Sequence, residues 1–370
     1  MDKSTPPKTI VIEGWLIGAS TGRYIEKLLE NLQQIDQHNN YIVILGPHNF
    51  GSWTPSSANF SKKLVNYGHY RLSEQTRLCW ALYRLKPDLV HFTMPNHPLL
   101  YAGKKVITVH DLTLIDYKQP KGSRLVYEFR YWLFGKVLRH GLNSSEAIIT
   151  NTEYVRQQII SRWQIAQSRI VAIPEASDRL SMKPKANTQL KNKQFLLAVG
   201  NAYPYKNLEL LITSFAKLQS SYPSLQLVLV GKTDYWYEQL QKYVQTHSIM
   251  NVVFTGFVDD AELSWLYAHA EAYVFPSLSE GFGLPGLEAM QFDLPVVSAN
   301  ASCLPEVYGD AALYFDPTSV EDLEIKLEKV LTDSRLRKEL IAAGRDRLKR
   351  FSWEKTASAT LAVYNQIISN

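Results

Sequence analysis

At 370 residues, with 45% hydrophobic and 20% charged residues, the chain has a globular composition and the length for two domains. A net charge of +5 is a mild excess over that length, and no nucleic-acid partner is expected. The two cysteines, Cys79 and Cys303, show neither metal-ligand spacing nor a disulfide framework, which points to a reducing compartment and to no metal centre.

The N-terminus, Met1 to Lys8, is short and polar and lacks the apolar core of a signal peptide. No apolar run reaches the roughly 18 to 20 residues that cross a bilayer. A cytoplasmic location is therefore expected. The nearest approach to a span, 125–138, carries interspersed charges and reads as an amphipathic helix, buried or lying on a membrane surface.

Short apolar runs alternate with helical patterns along the first half. Strands are expected at 9–13, 41–45, 89–93, 105–109, 147–150 and 170–173, and helices at 22–36, 70–85, 123–140 and 153–163. Such alternation predicts parallel sheets built from βαβ units, with strands covered on both faces. Gly14, Gly18 and Gly22 follow the first strand, but too loosely for the dinucleotide fingerprint, so a nicotinamide cofactor is not expected. The segment from Gly18 to Tyr24 still leads from strand to helix, with Ser20 and Thr21 available as caps. Basic residues gather at Lys62, Lys63, Arg71, Arg77, Arg84 and Lys86, and again at Lys121, Arg124, Arg130, Lys136 and Arg139. Two readings stand open: solvated helix faces, or contact with anionic lipid or a phosphorylated acceptor. His110 and Asp111 follow the strand 105–109, where a histidine can donate to a sugar hydroxyl or carry a proton near neutral pH.

The polar stretch 177–194 shows neither period and reads as a linker. It divides an N-terminal domain, 1–176, from a C-terminal one, 195–350. A last helix within 351–370 is expected to pack back on the N-terminal domain. The second series predicts strands at 195–199, 225–230, 252–255, 272–275, 295–298 and 312–315. Helices are expected at 207–219, 235–246, 260–269, 286–292, 319–332, 334–349 and 353–367. Two doubly wound sheets of this kind place ligands at the carboxyl ends of their strands, here in a cleft between the domains.

Two motifs in this half carry chemistry. After the strand 195–199 come Gly200, Asn201 and Lys206, with the lysine just before a helix, where it can neutralise a phosphate. Further on, Glu280-Gly281-Phe282-Gly283-Leu284-Pro285-Gly286-Leu287-Glu288 sets two carboxylates around a glycine turn. Pro285 suits a first helical position and Glu288 is expected in that helix's first turn. The turn's amides and the helix start suit a diphosphate, and both acids suit sugar hydroxyls.

Together these residues resemble the retaining glycosyltransferases of family 4, which have the GT-B fold of two Rossmann-like domains facing a central cleft. The Glu-x7-Glu pattern of Glu280 and Glu288 carries the resemblance, with Leu294-Pro295-Val296-Val297-Ser298 and Leu304-Pro305-Glu306-Val307 after it. It extends to the Gly22 loop, His110-Asp111, the Lys206 loop and Gly256-Phe257-Val258. The resemblance implies a nucleoside-diphosphate sugar as co-substrate and transfer with retention, without a bound metal or other cofactor. Glu288 would bind the ribose hydroxyls. Glu280, with the amides from Gly281 through Phe282 and Gly283 to Leu284, would hold the donor sugar. Lys206 would stabilise the leaving diphosphate, and the loop at Val258 would line the base pocket. His110 would contact the transferred sugar, while Gly22 and Asn201 would lie against the donor. The implied acceptor is a glycan or lipid-linked glycan in surface polysaccharide or glycolipid assembly, with a mannose-type or related hexose donor. The basic, aromatic segment 121–140 separately predicts peripheral contact with the inner face of the plasma membrane.

Two departures stand out. Asn201 occupies a position where the family commonly has arginine, so either Arg23 compensates or leaving-group stabilisation is weaker. Pro174-Glu175-Ala176 replaces the common Pro-Asn-Gly. Two competing functions fit the same architecture: a nucleotide-sugar epimerase, which needs no acceptor, and a non-catalytic nucleotide-sugar binder.

Overall fold

The computed structural model describes residues 6–19, 22–118, 124–178 and 183–369. The chain forms two units: Met1–Glu175 with Ser352–Asn370, and Ala176–Phe351. Ser20, Thr21 and Lys121 lie outside the described residues, as do 179–182 of the expected linker.

Unit 1 contains seven parallel strands in the order β3-β2-β1-β4-β5-β6-β7. They are β1 (Thr9–Glu13), β2 (Asn40–Leu45), β3 (Phe60–Leu64), β4 (Leu89–Phe92), β5 (Lys105–Val109), β6 (Ala147–Thr150) and β7 (Ile170–Ala172). The central strands are mostly apolar because helices cover both faces, as in Val106, Ile107 and Val109, all fully buried. The sequence pattern missed β3. Its Phe-Ser-Lys-Lys-Leu run is polar because an edge strand meets solvent. Lys62 and Lys63, expected on a helix face, therefore belong to this edge, with Lys62 Nζ donating to the Phe50 and Trp53 carbonyls.

The unit's helices are α1 (Arg23–Ile35), α2 (Cys79–Leu85), α3 (Thr113–Asp116), α4 (Arg124–Ser144) and α5 (Glu153–Trp163). The expected helix 70–85 is instead a π turn, Glu74–Leu78, running into α2 and stopped by Lys86 at φ 47°. Helix α4 buries only Leu138, Gly141 and Leu142, whereas Leu125, Phe129 and Trp132 are exposed. No helix among the described residues is long and apolar enough to cross a membrane.

Unit 2 contains six parallel strands in the order β10-β9-β8-β11-β12-β13. In chain order it runs β8 (Phe195–Val199), α6 (Leu208–Leu218), β9 (Gln226–Val230), α7 (Tyr235–Thr246), β10 (Val252–Gly256), α8 (Asp260–His269) and β11 (Ala272–Phe275). Then come α9 (Leu284–Gln291), β12 (Val296–Ala299), α10 (Leu304–Tyr308), β13 (Ala312–Phe315), α11 (Val320–Thr332) and α12 (Ser334–Leu348). Side chains cap several helix starts: Asp234 on α7, Asp259 on α8, Ser319 on α11 and Asp333 on α12. Much of the stretch expected as a linker packs onto α8. Leu190 is buried, the Lys185 N–H donates to the Ala261 carbonyl, and Asn187 donates to Glu262. In each sheet the strand order reverses at one point, between β1 and β4 in unit 1 and between β8 and β11 in unit 2. Crevices for ligands form outside the carboxyl ends of the strands at such points.

The last helix, α13 (Trp353–Ser369), packs against α1 within unit 1. Polar chemistry pins it there: Tyr364 Oη lies 2.5 Å from His91 Nδ1, and His91 Nε2 lies 2.8 Å from Thr108 Oγ1. Burial pushes the His91 pKa down from 6.5 to about 3, so the ring is neutral, accepting from Tyr364 and donating to Thr108. Tyr364→Phe leaves a buried ring nitrogen unmatched and is expected to lower unfolding stability by about 1–3 kcal/mol, read from urea midpoints at unchanged slope. His97 is likewise pushed down to about 4 by burial. Both histidines add stability that is present above 6.5, their ordinary value, and is lost as pH falls through their folded values. Denaturation followed between pH 7 and about 4 checks that sign.

Candidate active site

The carboxyl ends of β8 and β11 bound a crevice lined by Gly200, Asn201, Lys206, Tyr237, Tyr273 and Ser277. Gly200 has φ +146°, a region that favours glycine, and its carbonyl accepts from Tyr237 Oη at 2.9 Å. Gly231 passes so close that a Cβ there would lie 2.0 Å from the same carbonyl. This contact fixes the turn that delivers Lys206. The lysine Nζ sits 2.5 Å from Glu280 Oε1, with the two side chains only 15% and 14% exposed, and lies over the Tyr205 and Phe275 rings. Two residues 74 apart in sequence thus form one half-buried, charge-assisted contact.

Glu280 is held through its backbone. Its N–H donates to Ser302 Oγ at 3.1 Å, and its carbonyl faces Cys303 Sγ at 3.2 Å. Burial, with the Glu280 charge nearby, pushes the Cys303 thiol well up, so the cysteine is a packing residue and no thiolate nucleophile. The glycine turn is shaped by Tyr308. Its hydroxyl donates to the Gly283 carbonyl at 2.6 Å, and a Cβ on Gly283 or Gly286 would fall 2.6 or 2.3 Å from that hydroxyl. Gly283 also has φ +97°. Phe282 turns its ring inward, edge-on to Phe351, so only its backbone faces outward chemistry.

Helix α9 begins at Leu284, one residue earlier than expected. Pro285 then sits second, where a backbone N–H would still lack a helical partner. Glu288 is the fifth helical residue, not part of the first turn, and it is 5% exposed. Dipole complementation does not explain a buried carboxylate there. Tyr267 Oη donates to Glu288 Oε2 at 3.0 Å. Val258, expected to line a base pocket, is buried, whereas Phe257 beside it is 82% exposed. The loop therefore presents Phe257 to solvent. Asn201 is exposed and brings no charge.

His110 and Gly22 belong to unit 1. Gly22 precedes α1 without a side-chain cap, and its Cβ would lie 2.0 Å from the Leu16 carbonyl, so close backbone packing demands glycine. Arg23 opens α1. His110 has both ring nitrogens engaged: Nε2 with the Thr93 carbonyl at 3.0 Å, Nδ1 with Glu175 at 3.1 Å and Asn151 at 2.9 Å. Burial alone would lower its pKa, but the hydrogen bond and charge of Glu175 outweigh burial and raise it. The departure at Glu175 thus has a structural role, which no spacing in the sequence signals. Other contributors also lie far from the motifs: Tyr267 and Tyr308, and Ser277, whose buried hydroxyl has no partner among the described residues.

Glu175→Gln removes the charge that raises the His110 pKa while burial remains. The His110 titration, followed by NMR of its ring protons, is expected to move from above the ordinary 6.5 to below it. An unmoved titration would show that Glu175 does not set the ring's charge.

The chain is similar to known proteins along most of its length. A model of glycosyl transferases group 1 matches residues 182–347, and one of glycosyltransferase family 4 matches 22–178. The chain is 32% identical over 311 residues to an O-antigen chain mannosyltransferase B of Escherichia coli, covering 80% of this chain and 78% of that protein. It is 31% identical over 339 residues to the E. coli serotype-specific mannosyltransferase WbdA, covering 84% of this chain but 40% of that longer protein. In fold it resembles the sucrose-phosphate synthase of Thermosynechococcus elongatus, with a TM-score of 0.77 at 20% identity over 98% of this chain and 99% of that one. The paired family models and a relative matched along most of both chains identify the family: this chain belongs to the family 4 glycosyltransferases, with the GT-B fold.

Proposed function

We propose that the chain is a retaining hexosyltransferase that moves a mannose-type sugar from a nucleoside diphosphate to a glycan or lipid-linked acceptor in surface polysaccharide or glycolipid assembly. The mannosyltransferase relatives support the sugar class. The observation that carries the proposal is the 2.5 Å contact between Lys206 and Glu280 at the carboxyl edge of the unit 2 sheet. A donor replaces that contact with two of its own. Its diphosphate takes the ammonium of Lys206 and the positive dipole end of α9, while sugar hydroxyls take Glu280. Glu288, buried against Tyr267, takes the ribose hydroxyls. As the bond from the sugar C1 to the diphosphate breaks, negative charge grows on the leaving oxygen. Lys206 and the helix dipole stabilise that charge most where it is greatest, in the transition state.

Lys206→Ala and Glu280→Gln are each expected to lower kcat by about 100- to 1000-fold with the fold intact by circular dichroism. Glu288→Gln is expected to act mainly on KM for donor. Product anomer is read by NMR, and incubation with donor alone controls for epimerisation. Full activity in both the Lys206 and Glu280 variants would sink the proposal. Stabilisation by GDP-mannose, UDP-glucose and ADP-glucose, compared in thermal melts, assigns the donor.

Peripheral membrane contact through α4 belongs to the same reading. Exposed Leu125, Phe129 and Trp132 share the helix with Arg124, Arg130 and Lys136, a combination suited to an anionic lipid surface. Reversing the three charges is expected to weaken co-sedimentation with anionic liposomes by about tenfold or more. Unchanged sedimentation counts against the contact.

A further inference from the structure

Unit 1 has a concavity of its own, at two residues, Arg71 and Arg77, of the first basic group in the sequence. A pocket of about 450 Å³ opens just past the carboxyl ends of β1, β2 and β3, lined by Trp15, His48, Tyr67, His69, Arg71 and Arg77 among others. Trp15 follows β1 by two residues and is its aromatic centre. The ring centroids of His48, Tyr67 and His69 lie 4.1, 4.9 and 5.3 Å away, with His69 stacked.

Beneath these rings Glu13 is 2% exposed. It accepts from the Trp15 N–H at 2.9 Å, from the Tyr67 hydroxyl, and faces His69 Nε2 at 3.2 Å. Its charge is thus spent on holding the rings and is balanced by His69, whose pKa Glu13 raises against the opposing effect of burial. Burial pushes Glu74, close by, up to about 7, which further limits negative charge under the pocket. No acidic side chain lines the cavity. Arg71 and Arg77 are exposed, and neither has a carboxylate partner among the described residues.

The combination selects a ligand chemistry. An indole packs on the C–H face of a pyranose, while two guanidiniums without a carboxylate partner suit a phosphate through paired N–H donors. The volume holds a monosaccharide with such a group. The place, outside the carboxyl ends of parallel strands, is where open α/β sheets bind ligands. We propose that this pocket is an acceptor subsite for a phosphorylated saccharide, recognised by Trp15 through its sugar ring and by Arg71 and Arg77 through its phosphate. The proposal rests on the glycosyltransferase reading and narrows its acceptor class.

Calorimetry on the full chain tests it, with GDP and UDP at saturation to fill the donor side. Mannose 1-phosphate is expected to bind at least about tenfold more tightly than methyl α-mannoside or inorganic phosphate. The Arg71→Ala/Arg77→Ala double variant and Trp15→Ala should each weaken mannose 1-phosphate binding about tenfold or more, with circular dichroism unchanged for the surface arginine pair. Three results overturn the subsite: no binding of mannose 1-phosphate, equal binding of the neutral mannoside or of phosphate alone, or unchanged binding by the arginine variant. Donor-induced thermal shifts on the same protein separate the two levels. A shift present without sugar-phosphate binding defeats the subsite alone, whereas absence of any donor shift defeats the glycosyltransferase reading beneath it.

Discussion

The ion pair between Lys206 and Glu280 is the constraint around which unit 2 is arranged. Each charge is about one-seventh exposed, so either one left alone would carry a desolvation cost of several kcal/mol. Together they are stable until a ligand offers a replacement for both. A simple anion would satisfy Lys206 and strand Glu280, and a neutral sugar would do the reverse. A sugar diphosphate supplies the anion and the hydroxyls at once, so the pair favours a ligand with both parts.

Keeping the pair in place is mostly a backbone task. The turn after β8 is wedged against the end of β9 by two glycines and Tyr237, and the turn before α9 is threaded past Tyr308. Helix α10 and the residues just before it act as a buttress, with Ser302 and Cys303 gripping the backbone of Glu280. This division of labour leaves the carboxylate of Glu280 to Lys206, while the ring of Phe282 is buried against Phe351.

Unit 1 uses buried polarity differently. His91 is neutral and consumed in joining α13 to the sheet, and His110 is engaged at both ring nitrogens by Glu175, Asn151 and Thr93. Closed networks of this kind specify one arrangement of packed elements. Against that background the guanidiniums of Arg71 and Arg77, beside the Trp15 cluster, stand out for having no carboxylate partner among the described residues, Arg77 donating only to the Asn66 carbonyl.

Much of the candidate site in unit 2 was legible in the amino-acid sequence because its chemistry is local. The acid–glycine–acid run from Glu280 to Glu288, and a lysine after a strand and glycine turn, are patterns of neighbours in the chain. Alternating apolar runs likewise determined the parallel α/β class, since strands covered on both faces are mostly apolar. Edge strand β3 escaped that logic by being polar. Tertiary structure alone decided that Lys206 meets Glu280, that Tyr308 excludes a side chain at Gly286, and that Glu175 commits both the charge and the orientation of His110. It also decided that Glu288 is buried against Tyr267 and that Glu13 underlies Trp15 and His69. These contacts join residues far apart in the chain, and their energies depend on burial and distance, which no local pattern of residues encodes.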